Sequence, residues 1–533
     1  MGFSLTAVDW VVCLLVIAGS IWLGLYLAVR GRVSESSANF FLAGRKLTWP
    51  IVGASLFASN IGAEHLVGLS GDAYRYGLCA GSVELTTFIC LGFAASFLFP
   101  YYIQNKVFTI PEFLEMRYSR AARTLFSGLM LVICIMTKMA FHLYAGGLVL
   151  HGLLGWNVMT GVALAGILVA IITVLGGFTA VAYTDSLQSA IMIGGCGLML
   201  FIGLAHAGGW HALAAAAPAA MSIGKPYDDP NYPFWGIICG SLYGGIFYWG
   251  MDQVNVQRVL GARDLRQARW GSMFTVLLKL TPVFIFALPG VIACVLFPGR
   301  EAKTIFVTLL NELLPNGVRG IVLAALMASL ISSNLSVMNS VSTLAVRDFV
   351  LRWRPGTGEK AQVLLGRCAI VAAAGLGIVA AYLVSATPDG LYKYLQTISL
   401  YLVMPIAPTV AFGILSRRVT AKGALVSVLF GSALATLFVA DQLMGPAAGA
   451  ALFPWLHFKL TLNYTFRGFW AAILTSIVLF LVSAFTEKAP IERLEKLTID
   501  WRKPIERFTG VTDWRLQLAL LTAATIGVYA WLW

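Results

Sequence analysis

Runs of about twenty apolar residues recur along this chain, and no other feature limits its fold so tightly. Backbone inside a bilayer must satisfy its N–H and C=O groups internally, so only helices or a closed barrel can cross. Barrel strands need about ten residues, so runs twice that length read as helices. The 533 residues are 59% hydrophobic and 11% charged, whereas a soluble domain carries about 25% charged residues. The expected class is an all-α polytopic membrane protein, with residues 1–533 forming a single transmembrane domain of about fourteen helices.

The net charge of +13 could suggest nucleic acid, but its distribution argues for topology. Most Lys and Arg fall in alternate loops, beginning with Arg30, Arg32, Arg45 and Lys46 and ending with seven in 487–515. The positive-inside rule makes these loops cytoplasmic and puts both termini on the extracytoplasmic side of a cell membrane, plasma or bacterial inner. The eight cysteines lie in or beside apolar segments without a CxxC spacing, and read as small hydrophobes.

Polar residues inside such spans are costly and are functional candidates by default. The stretch SLFASNIGAEHLVGLSG (Ser55–Gly71) places Asn60, Gly62, Glu64 and His65 in mid-span. Glycine eases unwinding, and an unwound turn frees carbonyls that can hold a small cation. A second glycine-interrupted span, CGSLYGGIFYWGMDQ (Cys239–Gln253), follows five spans later. The bland reading is that these glycines only let helices pack closely. Interrupted helices at matching positions of two halves point instead to a transporter built from inverted repeats. The repeats would occupy 48–206 and 234–415, with a peripheral helix at 8–30 and peripheral helices in 420–533. A third stretch, ASLISSNLSVMNSVST (Ala328–Thr343), sets Ser329, Ser332, Ser333 and Ser336 on one helical face. Serines often just bond their own helix, yet beside an unwound helix they offer hard oxygens suited to Na⁺. Glu84, Asp185, Asp252, Lys138 and Lys279 complete the ionisable residues expected within spans; Lys138 and Asp252 could equally be a structural pair.

At these residues the chain resembles the sodium:solute symporter family, and within it the sodium/sugar branch. LGGFTAVAYTDSLQ (Leu175–Gln188) and GILSRRVTAKGA (Gly413–Ala424) resemble the family signatures, and the similarity begins at NFFLAGR (Asn39–Arg45). GASLFASNIG (Gly53–Gly62) and YLQTISLYLVMPIA (Tyr394–Ala407) resemble the sugar branch. The resemblance implies a 5+5 inverted-repeat core of the leucine-transporter type and uptake of a neutral hexose driven by Na⁺. It implies Na⁺ ligation by the carbonyls of Ala58, Ile61 and Ser329 and the hydroxyls of Ser332 and Ser333. It implies sugar contacts at Asn60, His65, Glu84, Lys279 and Gln396, with Tyr248 and Trp249 at the sugar face. Leu69 and Tyr392 match outer-gate positions, Tyr248 the inner gate, and Asp185 a coupling position. Leu85 and Val83 stand where the branch favours aromatics, and Gly245 where it favours Asn, so a pocket with less bulk is expected. Leu335 replaces a hydroxyl residue of two-sodium relatives, which favours one Na⁺ per turnover.

Other classes fit less well. The six histidines form no HExxH, and no phosphate loop or nucleophile–base arrangement is recognisable, which disfavours an enzyme. Few charges line the spans, which disfavours a continuous wet pore. The expected partners are a sugar, Na⁺ and lipid, not nucleic acid; the alternative solute is myo-inositol or another polyol or organic solute of the same family.

Overall fold

The computed structural model describes residues 5–31, 33, 35–62, 64–385, 400–403, 405–452, 463–501 and 509–533. The elements used below are α1 (Ala7–Arg30), α2 (Trp49–Asn60), α3 (Leu78–Gln104), α4 (Arg120–Leu154) and α5 (Val158–His206). They continue with α6 (residues 234–250), α7 (Gln253–Leu260), α8 (Leu265–Leu296), α9 (Val318–Trp353) and α10 (Tyr464–Ala484). Among the described residues the fold is helical, with one isolated β-bridge between Leu47 and Ala262.

Among the described residues ten helices are long and apolar enough to cross a bilayer, against the fourteen spans expected. Some expected spans are doubled into one helix or broken, and the one expected at 390–415 lies partly outside the described residues. α5 has 49 residues, about 74 Å at 1.5 Å per residue, more than twice the hydrocarbon thickness of about 30 Å. It bends at Gly177, whose φ of 51° is open to glycine and disfavoured for other residues. A Cβ there would also lie 2.9 Å from the Phe40 carbonyl oxygen.

The break in the first polar stretch falls where the sequence places it. α2 ends at Asn60, and Ile61 turns to φ −87°, ψ 103°. The chain resumes as a wide π-type turn over Glu64–Leu69, then as the helix Ser70–Tyr76. The second break falls at the end of the second stretch, beyond its paired glycines. Gly244 and Gly245 stay helical, and the chain leaves helical geometry only at Met251 (φ −137°) and Asp252 (ψ 125°). The glycines serve contact instead: a Cβ on Gly244 would lie 2.4 Å from Leu400, and one on Gly245 2.5 Å from the Cys90 sulfur. Close packing wins at these two positions because Leu400, and Cys90 of α3, press against α6 there.

Beyond the second break lies α7, whose eight residues are all buried although half are polar. Its amides are satisfied by backbone from other segments. Gln257 donates to the Phe41 carbonyl at 2.6 Å, and Gln253 donates to the Phe108 carbonyl at 3.0 Å. α1 is held at one end by Asp9, whose carboxylate accepts the Gly317 and Gly320 N–H groups at the start of α9, at 2.6 and 3.2 Å. A negative charge at a helix N-terminus is stabilising. Its Leu14, Leu15, Trp22 and Val29 are exposed, as befits a helix with one face toward lipid.

Candidate functional site

The two breaks and the middle of α3 surround a cavity of about 290 Å³, near the lower end of small-molecule pockets at ~300 Å³. Asn60, His65, Glu84, Tyr248, Trp249 and Lys279, all expected at the sugar site, line it together. Gln396 and Tyr392 lie outside the described residues. Leu69 is buried in an apolar cluster and does not reach the wall.

Glu84 organises one side. One carboxylate oxygen pairs with the Lys279 ammonium, and the other lies 3.2 Å from His65 Nε2. His65 Nδ1 receives the Gly62 N–H at 3.4 Å, so the ring proton belongs on Nε2 and is donated to Glu84. A carboxylate has about four lone-pair sites, so Glu84 can hold both partners and still accept a ligand hydroxyl. Opposite charges compensate one another here, and the cavity carries no unpaired anion at Glu84. Asn60 Oδ1 is buried with no hydrogen-bond partner among the described residues, a vacancy that a hydroxyl donor on a ligand would fill.

A second ion pair borders the same cavity. Lys138 donates to Asp252 Oδ2 at 2.5 Å, and its ammonium sits 4.9 Å from the centre of the Tyr248 ring. The two residues pair with each other, and Lys138 also lines the cavity. Thr86, Thr87 and Ser241 add hydroxyls to the wall. So do Tyr464 and Thr465 of α10, a helix expected to be peripheral. Glycine makes that approach possible: a Cβ on Gly236 would lie 2.6 Å from the Thr465 hydroxyl. The expected loss of bulk is smaller than the sequence suggests. Val83 lines the cavity, but Leu85 is buried in an apolar cluster away from it.

The five residues expected around Na⁺ are all buried. Ending α2 at Asn60 leaves its last carbonyls without helical donors. The Gly62 N–H that a continuing helix would give to Ala58 turns to His65 instead. Ser333 Oγ is buried with no partner among the described residues, and Ser332 Oγ donates to Asp185 at 2.6 Å, leaving its lone pairs open. Neutral oxygens in this state suit a hard cation.

Asp185 joins three helices. Besides Ser332 of α9 it accepts from Ser55 of α2 at 2.9 Å and from Arg258 of α7 at 2.7 Å. Arg258, fully buried, was not among the ionisable residues expected inside the membrane. It also donates to the Ser55 carbonyl at 3.0 Å and to the Ser336 hydroxyl. The signal that could have found it is the polar run QVNVQR directly after a broken helix, which reads as a loop by hydropathy alone.

A model of the sodium:solute symporter family matches residues 40–431. The chain is 31% identical to the sodium/glucose cotransporter 4 of Mus musculus, over 91% of this chain and 76% of that one. It is 32% identical to the sodium/myo-inositol cotransporter 2 of Mus musculus, over 89% and 76% of the two chains. It is also 32% identical to a sodium/mannose cotransporter of Bos taurus, over 84% and 81%. In fold it is similar to a Na⁺-coupled sialic acid symporter, with a TM-score of 0.76 at 19% identity over 91% of this chain and 99% of that one. It is also similar to the nucleobase-cation-symport transporter Mhp1, with a TM-score of 0.57 at 14% identity over 87% and 99%.

The buried Asp185–Arg258 pair carries a stability prediction. Arg258→Met strands Asp185 without its cation and is expected to cost about 3–5 kcal/mol. Arg258→Met with Asp185→Asn removes both charges and should recover most of it, read as melting temperature in detergent. A double variant no more stable than the single would show that the pair is not what holds α5 to α7.

Proposed function

Because the chain belongs to the sodium:solute symporter family, it is a Na⁺-coupled solute symporter embedded in a membrane, and we propose that its solute is a neutral, glucose- or galactose-like hexose. The observation that carries this reading is the His65–Glu84–Lys279 cluster facing Asn60 across a cavity of about 290 Å³. It offers acceptors and donors to several hydroxyls at once, the demand a hexose makes, while its paired Glu84 disfavours an anion. Tyr248 and Trp249 supply apolar surface for the C–H face of a sugar ring. Na⁺ sits at Ala58, Ile61, Ser329, Ser332 and Ser333, with Asp185 coupling these helices, and Leu335 leaves room for one Na⁺ per turnover. The repeats are 48–206 and 234–415, and both termini are extracytoplasmic. Leu69 and Tyr392 act as the outer gate and Tyr248 as the inner one.

A myo-inositol or other polyol substrate is the second reading. It is favoured by the 32% identity to a sodium/myo-inositol cotransporter, no lower than that to the glucose and mannose relatives. A cyclitol presents a similar set of hydroxyls, so a competition panel in proteoliposomes separates the two. Labelled glucose or galactose uptake should require an inward Na⁺ gradient and be displaced better by hexoses than by inositol. Equal uptake with K⁺ in place of Na⁺ would refute the coupling, and stronger displacement by inositol would overturn the hexose assignment.

Ser333→Ala removes one proposed Na⁺ oxygen and touches no sugar. The Na⁺ concentration for half-maximal transport should rise at least several-fold, while sugar affinity at saturating Na⁺ holds. Unchanged Na⁺ dependence would reduce the serine face to packing.

Glu84→Gln should lower sugar affinity by roughly 10- to 100-fold, since hydrogen bonds to charged groups contribute about 1.5–3 kcal/mol. It also strands the Lys279 ammonium, so the melting temperature should fall. Adding Lys279→Met should restore stability but not transport. If transport returns with stability, Glu84 is a structural partner and not a sugar ligand.

A further inference from the structure

One side chain touches both broken helices. Asn255, in the first turn of α7, is fully buried. Its Nδ2 donates to the Tyr248 carbonyl at 2.9 Å and to Asp252 Oδ2 at 3.1 Å. Its Oδ1 accepts from the Ser59 hydroxyl at 3.1 Å. Ser59 precedes Asn60 at the first break; Asp252 stands at the second, paired with Lys138 of α4. Polar contact therefore runs without a gap from the end of α2 to the second break and on to α4, passing under Tyr248 at the cavity wall.

The donor pattern fits this use and little else. An amide has two N–H donors and a carbonyl acceptor, and here both donors and the acceptor are engaged across two discontinuous segments. An apolar residue would fill the same volume without leaving Asn255's partners a link. Solute at the Tyr248 side and Na⁺ beside Ala58 would each hold one end of this link.

We propose that Asn255, through Ser59, is a positioning residue that couples Na⁺ binding to solute binding by fixing the two helix breaks relative to each other. The inference rests on the site reading above only for where each ligand sits. Coupling is reciprocal: if Na⁺ tightens solute binding by some factor, solute tightens Na⁺ by the same one, usually about 5–150-fold. With the link cut, each ligand should still bind alone and the factor should fall toward one.

The experiment measures glucose affinity of the purified full-length protein in Na⁺ and in choline, and Na⁺ affinity with and without glucose, for wild type, Asn255→Ala, Asn255→Asp, Ser59→Ala and the Asn255→Ala/Ser59→Ala pair. Ser59→Ala is the mild variant, since it deletes one hydroxyl that its own helix also satisfies through the Leu56 carbonyl. The expected result is a coupling factor reduced in both directions by the same amount, to within a few-fold of one. The double variant should be no worse than Asn255→Ala, because both cut one link. Asn255→Asp keeps the shape but faces Asp252 with a second carboxylate, and should uncouple as well. Wild-type coupling factors in Ser59→Ala and in any folded Asn255 variant overturn the proposal, and so do additive losses in the double variant. The Na⁺ assignment fails separately, on Ser333→Ala, because the coupling factor is read from affinities wherever Na⁺ sits.

Discussion

A fully buried Asp185 carboxylate, bonded to Ser55, Ser332 and Arg258, fixes three helices around one point. An ion in so apolar a setting would be untenable alone, since desolvation costs several kcal/mol per charge even after relaxation. Its three partners each come from a different helix, so the charge can be satisfied only when α2, α7 and α9 are all in place. The break after Asn60 and the serine face of α9 are thereby held near each other, and the oxygens proposed for Na⁺ come from those two segments.

The same logic recurs at the cavity. Glu84, Lys279 and His65 compensate one another, as do Lys138 and Asp252, so the wall offers many polar groups at little net charge. A wall of that kind is compatible with the neutral solute proposed above. Asn60 and His65 come from the first helix break and Asp252 from the second, so the order of this wall depends in part on the contacts between those breaks.

Much of this was legible in the sequence because hydropathy and polar outliers report on a membrane directly. The first break was readable at Asn60–Gly62, where amide and glycine interrupt an apolar run, and six of the seven expected sugar residues meet in the cavity. The second break lies within the stretch the sequence marks, but its exact point was not readable: Gly244 and Gly245 carry the local signature of unwinding, whereas their role is set by Cys90 and Leu400, which are distant in sequence. Arg258 and Asn255 were missed for a related reason. A polar helix buried among helices looks, residue by residue, like a loop in water. The approach of Thr465 to the cavity depends on glycines in a different helix, and no pattern within α10 announces it. The chain's family and fold were readable from motifs, while its wall chemistry needed the packing.

The three buried ion pairs in and beside the cavity share one arrangement along the chain. Glu84 and Lys279 are 195 residues apart, Lys138 and Asp252 are 114 apart, and Asp185 and Arg258 are 73 apart. In each pair the first member precedes α6 and the second follows it. At 5–20 residues per second of synthesis, Glu84 waits roughly 10–40 s for its ammonium partner to be made. Until Asp252 is made, the chain holds two carboxylates and a lysine whose ion-pair partners have not been synthesised. A chain ended before α6 therefore lacks the partner of each of these three charges, and all three partners are present only once Lys279 has been made.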